Sequence, residues 1–168
     1  FDGSNDFMTL PDGTIPYGNS SYTVTVLVKA NISHNGGILG SGTYEVESQV
    51  NAFRFAGDKL YNYWWSNDVF SVPNDSIINN YIIATFRYDN QSGRLIYLNG
   101  NQVDSWRGTH DANINRSSTS INNTLAKTFG NEYLNGEIVE VIVFEDALDE
   151  SMLIKINAYL SKKWGLES

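Results

Sequence analysis

The sequence predicts an all-β domain, a sandwich or barrel of short antiparallel strands, with one short helix at its C-terminal end. Three observations carry this. The stretch from Tyr81 to Val103 reads as strand, turn, strand, turn, strand: apolar runs flank Asp89-Asn90-Gln91-Ser92-Gly93, and a third follows Asn99-Gly100. A short Gly-containing loop or an Asn-Gly pair joins antiparallel neighbours because these residues tolerate positive φ. Similar short runs, separated by turn residues, recur along most of the chain. After Asp149 the period changes, and Leu153, Ile156, Leu160 and Trp164 recur at helical spacing.

The chain in order supports this reading. Phe1 to Leu10 is a polar turn followed by a short strand, and Pro11 to Ser20 is loop. Tyr22 to Ala30 alternates, with Tyr22, Val24, Val26 and Val28 on one face and Thr23, Thr25 and Leu27 on the other. That pattern predicts a strand with one buried face. Gly36-Gly37 opens a short strand at Ile38-Leu39. Tyr44 to Gln49 reads as strand and places Glu45 and Glu47 side by side. Asn51 to Gly57 puts Phe53 and Phe55 on one face and Arg54 on the other. In Leu60 to Trp65, Tyr61, Tyr63 and Trp65 share one face, and Leu60, Asn62 and Trp64 the other. Trp106-Arg107 ends the strand after the central hairpins, and Thr124 to Gly130 and Leu134 to Glu145 are closing strands. Asp149 is placed as a helix N-cap, Lys162 and Lys163 sit in the last turn, and Gly165 is the stop.

Composition narrows the function classes. At 168 residues, the chain is one domain able to bury a sizeable core. Hydrophobic residues at 41% and charged residues at 18% exclude a disordered chain. A net charge of −8 repels phosphate backbones, so nucleic acid is not an expected partner. No apolar run approaches the length needed to span a bilayer, so membrane insertion is not expected either. The absence of cysteine removes disulfides and thiolate chemistry. It suits an intracellular protein, and equally a surface domain held by its core or by bound calcium. The chain opens on Phe1-Asp2-Gly3 with no leader, which suggests a domain excised from a longer protein.

Aromatic residues make up 13% of the chain, with 10 Tyr and 4 Trp. Tyr and Trp combine an apolar body with a polar tip and suit half-exposed binding surfaces. Tyr61, Tyr63 and Trp65, with Asn62 and Arg54 beside them and Trp106 at a strand end, are therefore the candidate ligand-binding residues. Sugar rings present apolar C–H faces to such rings and hydroxyls to nearby polar groups. The same row also suits the interior of a sandwich or a protein interface. Trp106 beside Arg107 is either a rim contact to ligand or a snorkelling pair at the sandwich end.

Asp2, Asn5 and Asp6 offer oxygen ligands within one tight turn. This is either a calcium site or an Asx turn, in which the side chains bond their own backbone. Glu45 and Glu47 are a candidate carboxylate pair for glycoside hydrolysis, or a solvated strand face. Glu145 to Glu150 is the acidic approach to the helix. His34 and His110-Asp111 lack a nucleophile elbow and read as surface residues. Asn19, Asn31, Asn74, Asn90, Asn115 and Asn122 begin glycosylation sequons that matter only in a glycosylating host.

Five segments carry a family resemblance: Phe1-Asp2-Gly3-Ser4-Asn5-Asp6-Phe7, the Tyr22–Ala30 strand, the central Tyr81–Val103 hairpins, Leu134-Asn135-Gly136-Glu137-Ile138-Val139-Glu140-Val141-Ile142-Val143-Phe144 followed by Ala147-Leu148, and Ala158-Tyr159-Leu160-Ser161-Lys162-Lys163-Trp164-Gly165-Leu166. Together they resemble a laminin G-like domain of the concanavalin A-like lectin/glucanase superfamily. Leu27, Tyr81 and Leu134 depart from it where the pattern usually has Trp, Trp and another aromatic. The resemblance implies a single jelly-roll β-sandwich over residues 1–168, two antiparallel sheets with one short C-terminal helix. It also implies that Glu140 meets the N-terminal turn and completes a calcium site with Asp2 or Asp6. The glucanase branch carries a Glu-x-Asp-x-x-Glu run that this chain lacks.

The function expected is a non-catalytic carbohydrate-binding or adhesion module, extracellular on a cell or virion surface, with a glycan or glycoprotein as ligand. The alternative is a protein interaction or assembly module that packs against other domains of its parent. A glycoside hydrolase ranks third.

Overall fold

The computed structural model describes residues 1–106 and 123–166, and of Ser105 and Trp106 the backbone only. Twelve strands form two antiparallel sheets among the described residues, as the sandwich reading expects. In chain order they are β1 (Met8–Thr9), β2 (Tyr22–Ala30), β3 (Gly37–Gly42), β4 (Val50–Ala56), β5 (Lys59–Tyr63), β6 (Val69–Ser71), β7 (Ile82–Asp89), β8 (Gly93–Leu98), β9 (Asn101–Gln102), β10 (Asp104–Trp106), β11 (Thr124–Leu125) and β12 (Gly136–Phe144). The helix α1 is Glu150–Trp164. The seven-stranded sheet runs β1-β11-β3-β4-β5-β6-β10, and the five-stranded sheet runs β12-β2-β7-β8-β9.

The core lies between the sheets. From the five-stranded side come Tyr22, Val24, Val26 and Val28 of β2 and Ala84, Phe86 and Tyr88 of β7. They meet Phe53 and Phe55 of β4, Leu60 of β5 and Trp64. Tyr22 packs edge-on to Phe53, and Phe53 against Phe86, with ring centroids 5.9 and 4.7 Å apart. The hairpins close as their turn residues dictate. Asn99 and Gly100 take φ of 48° and 82°, the left-handed pair that a two-residue turn requires. Asp89 Oδ1 accepts the Gln91 and Ser92 amides in the preceding turn.

Strand β2 departs from the one-face expectation, because its other face is buried too. Leu27 packs with Ile83 against Ile156 and Leu160 of α1. Thr25 and Thr85 share a hydrogen bond of 3.0 Å, and Thr23 Oγ1 donates to Asp146 O and accepts the Leu148 amide. The helix and its acidic approach thus roof the outer face of the five-stranded sheet. Asp149 caps α1 by accepting the Met152 amide, and Gly165 ends it at φ 67°. Trp164 does not join the buried stripe. It is half exposed, and its indole N–H donates to Glu140 Oε2 at 2.7 Å. A second correction concerns Glu45 and Glu47. They lie exposed in the turn between β3 and β4, not on a strand, because Glu45 and Ser48 take left-handed φ of 68° and 56° and reverse the chain.

Candidate functional site

The outer face of the seven-stranded sheet carries the aromatic row. Opposite residues in an antiparallel pair share a face, and the register sets Arg54 against Tyr61, Ala52 against Tyr63, and Tyr61 against Phe70. Small Ala52 leaves room for the rings beside it. Tyr61 and Phe70 stack at 5.2 Å, and the Arg54 guanidinium lies over both Tyr61 and Tyr63, 5.3 and 4.9 Å from their ring centroids. The row continues through Trp65, Phe129 and Tyr44. Trp65 meets Phe129 edge-on at 5.0 Å, and Tyr44 sits 5.5 Å from Phe129.

Trp65 reaches this face by a strained backbone. Trp65 and Ser66, just past β5, take φ of 62° and 83°, a conformation that costs non-glycine residues about 1 kcal/mol or more each. Several bonds impose it. The Ser48 amide donates to the Trp64 carbonyl at 2.8 Å, and the Trp64 amide donates to Asp68 Oδ1 at 3.0 Å. Arg94, on β8 of the other sheet, donates to the carbonyls of Asn62 and Asn67. Non-glycine residues at positive φ thus gather at the two neighbouring turns, Glu45 and Ser48 on one and Trp65 and Ser66 on the other.

Arg54, Tyr63, Trp65, Ser66, Asp68, Phe129 and Glu132 line a shallow cleft of about 290 Å³. At its centre Arg54 Nη1 donates to Glu132 Oε1 at 2.6 Å. The other carboxylate oxygen accepts from Thr128 Oγ1 at 2.6 Å and from Tyr63 Oη at 3.3 Å. Burial, and then the charge of Glu132, pushes the Tyr63 phenol well up, so it remains a donor. Arg54 Nε is buried without a hydrogen-bond partner among the described residues. A second cleft, of about 450 Å³, is lined by Phe7, Tyr44, Lys127 and Thr128 among others.

Of the predicted binding residues, Arg54, Tyr61, Tyr63 and Trp65 come together on this face. Asn62 does not. It is 2% exposed and points between the sheets, donating to Asn51 Oδ1 at 3.0 Å and accepting from Tyr22 Oη at 3.3 Å. The period of two puts it inside whenever Tyr61 and Tyr63 are outside. Trp106 lies on β10 at the far edge of the same sheet, and its side chain is outside the described residues. Arg107, His110 and Asp111 are also outside them. Sequence reading missed Tyr44, Phe70, Phe129 and Glu132 as site residues. Phe70 was within reach of the alternation rule, whereas Glu132 follows from no local pattern.

The predicted calcium ligands do not assemble. Asp2 Oδ1 accepts the Ser4 amide at 2.8 Å and the Asn5 amide at 3.4 Å, and Asp6 Oδ2 accepts the Asp2 amide at 3.3 Å. This is Asx-turn chemistry, and the Ser4 bond chiefly lowers the Asp2 pKa. Glu140 lies elsewhere. It pairs in register with Leu27 on the helix-covered face of the sheet. Its carboxylate is held by Lys163 Nζ at 2.8 and 3.0 Å and by Trp164, which lower its pKa. The described residues contain no cluster of three or more acidic, His or Cys side chains placed to hold a metal. None of their helices is long and apolar enough to cross a membrane.

Comparison with solved structures agrees with this architecture. The NanB sialidase from Streptococcus pneumoniae superposes with a TM-score of 0.64 at 16% identity, over 90% of this chain and 26% of that one. Domain 4 of AbnA, a GH43 extracellular arabinanase from Geobacillus stearothermophilus, solved in complex with arabinotriose, gives 0.67 at 18% identity, over 94% of this chain and 74% of that one. The binding domain of Botulinum neurotoxin DC, in complex with rat synaptotagmin II, gives 0.62 at 13% identity, over 92% and 39%. At these identities the likeness is one of fold, and the chain spans only about a quarter of the sialidase. No curated protein sequence matches the chain. A family model described as the concanavalin A-like lectin/glucanases superfamily matches residues 2–153. With two antiparallel sheets and a single α-helix among the described residues, and that match over most of its length, the chain belongs to the concanavalin A-like lectin/glucanase superfamily.

Proposed function

We propose that this domain is a non-catalytic carbohydrate-binding module, and that it binds glycan on the outer face of the seven-stranded sheet. The observation that carries this reading is the position of Trp65. Its backbone is left-handed, as is that of Ser66, hydrogen bonds fix the neighbouring Asn62, Trp64 and Asn67 backbone, and its ring lines the cleft beside Tyr63, Phe129 and the Arg54–Glu132 pair. Strain of this kind persists where the surrounding structure enforces it, and it concentrates at functional sites. The rings offer stacking surface, and the ion pair offers a donor and an acceptor for hydroxyls. The arabinotriose complex of the arabinanase domain supports the same use of this fold.

Glu132 serves as an anchor, with both oxygens bonded, and Glu45 and Glu47 are exposed on a turn. Neither arrangement favours a hydrolytic carboxylate pair. The module belongs to an extracellular, cell-surface or virion-surface protein. Calcium enters this reading only at the Asp2–Asp6 turn, without Glu140.

The test is a glycan microarray followed by calorimetry, with calcium and again with excess chelator. The expected result is binding to a glycan class that survives chelation and falls roughly tenfold or more in Trp65→Ala. Unchanged affinity in Trp65→Ala overturns the reading. A second reading, an assembly module, is favoured by exposed Met152, Ile154 and Tyr159 on α1. Concentration-dependent self-association without glycan binding would establish it.

A further inference from the structure

We infer that the cleft selects uncharged glycans over acidic ones, and that Glu132 is the residue that sets this preference. The inference rests on the carbohydrate-binding reading and names the ligand class. A carboxylated sugar is bound best by a free cation, typically an arginine offering its planar fork. Arg54 is the one cation lining this cleft among the described residues; its Nη1 is already engaged, and its unpartnered Nε is buried away from an entering ligand. Its Nη1 is bonded to Glu132 at 2.6 Å, and its plane is held over Tyr61 and Tyr63. Glu132 is fixed in turn by Thr128 and Tyr63 on its other oxygen, and its backbone carbonyl accepts the Gly37 amide at 3.0 Å. The carboxylate therefore cannot swing away to release Arg54 without breaking several bonds.

Asp68 lines the same cleft and adds a second negative charge. The described lining thus carries one positive and two negative groups, on a chain whose net charge is −8. A sialic or uronic acid entering here meets net repulsion in a partly desolvated setting. A hydroxyl meets none, since it both donates to a carboxylate and accepts from a guanidinium. Two of the three charged groups lining the cleft thus favour hydroxyl over carboxylate, and the third is paired with one of them.

The test is calorimetry of the whole domain with matched neutral and acidic oligosaccharides: lactose with sialyllactose, and galacto- with galacturono-oligosaccharides. The expected wild-type result is neutral binding, with the acidic partner roughly fivefold or more weaker. The gap should narrow at high salt, which screens repulsion. Glu132→Gln keeps the shape and removes the charge, and it should raise the acidic-to-neutral affinity ratio by a similar factor. Equal or tighter acidic binding in the wild type overturns the inference while leaving the carbohydrate reading intact. So does an unchanged ratio in Glu132→Gln, or a gap that does not respond to salt. Absence of binding to either class overturns the carbohydrate reading and the preference with it.

Discussion

Arg94 on β8 crosses the sandwich to stack on Trp64 of the opposite sheet, its guanidinium carbon 3.7 Å from the centre of the indole ring. The same side chain donates to the carbonyls of Asn62 and Asn67 and is 4% exposed. The Asn62–Asp68 segment, which carries Trp65 and Ser66, is thus anchored from the far sheet. Arg94→Met keeps much of the apolar contact and leaves those carbonyls short of a donor. It is expected to lower unfolding stability by about 2–4 kcal/mol, measured by denaturant titration. A loss well under 1 kcal/mol would mean that the strut is dispensable.

Asn62 and Trp65 should separate stability from binding. Tyr22 Oη, Asn62 Nδ2 and Trp64 Nε1 all converge on Asn51 Oδ1, at 3.1, 3.0 and 3.3 Å. Asn62→Ala removes one member of this buried knot and should cost about 2–3 kcal/mol of stability. The folded fraction should keep its glycan affinity. Trp65→Ala should do the reverse, with affinity lost and stability nearly kept. Calorimetric binding and denaturation on both variants test the pair together. Strong affinity loss in Asn62→Ala with unchanged stability would contradict the inward placement of that side chain.

The strands that sequence patterns located best are those whose partners lie close by in the chain. Tyr81 to Val103 forms hairpins closed by Asn99-Gly100 and by Asp89 to Gly93, so local turn chemistry determined it. The helix was legible from its cap, stripe and terminal glycine. Strand β2 was located to the residue, yet its second buried face was not, because Leu27 is covered by Ile156 and Leu160, more than a hundred residues away. The site divides in the same way. Tyr61 and Tyr63 follow from alternation along one strand, and so does the exclusion of Asn62, once one face is known to be core. Trp65 lies past the strand on a left-handed backbone, yet its ring keeps to the outer face that alternation assigns it. Glu132 arrives from the turn after β11 to meet Arg54 on β4, a long-range pairing that no local pattern encodes. Glu140 illustrates the opposite error: resemblance placed it at the N-terminal turn, but the end of the helix supplies Lys163 and Trp164 as its partners.

Glu140 therefore offers a check on calcium. With its carboxylate held by Lys163 and Trp164, Glu140→Gln should produce a small drop in melting temperature that is the same with calcium and with chelator. A calcium-induced rise present in the wild type and lost in Glu140→Gln would restore Glu140 as a metal ligand.

Gly37 links the sheet to the site. A Cβ there would overlap the Thr128 and Lys127 backbone and lie 2.7 Å from the Glu132 carbonyl. The Gly37 amide itself donates to that carbonyl. Gly37→Ala must push away the turn that carries Phe129 and Glu132, and overpacking of this kind costs about 1–3 kcal/mol or more. Reduced stability and reduced glycan affinity are expected in the same variant. Retention of both would show that the turn can shift freely.

Alkaline pH should unfold the domain through its buried phenols. Burial pushes Tyr22 and Tyr88 up to about 12, and it pushes Tyr44 and Tyr63 up as well. An unfolded tyrosine releases its proton near pH 10. Above that value the folded protein holds protons that the unfolded chain has lost. The contribution is therefore complete below about pH 10 and disappears as pH rises through the folded values. Burial acts on Arg94 in the opposite sense, lowering it to about 10. Between that pH and its usual range the unfolded chain binds the extra proton, so this one group favours folding as pH rises. Four phenols outweigh one guanidinium, and the denaturation midpoint should be level through neutral pH and fall from about pH 10 upward. Ultraviolet titration of tyrosinate gives an independent readout: Tyr22, Tyr44, Tyr63 and Tyr88 should ionise only as the fold is lost. Release of all 10 tyrosine protons near pH 10 from a protein that is still folded would show that these rings are not buried as described.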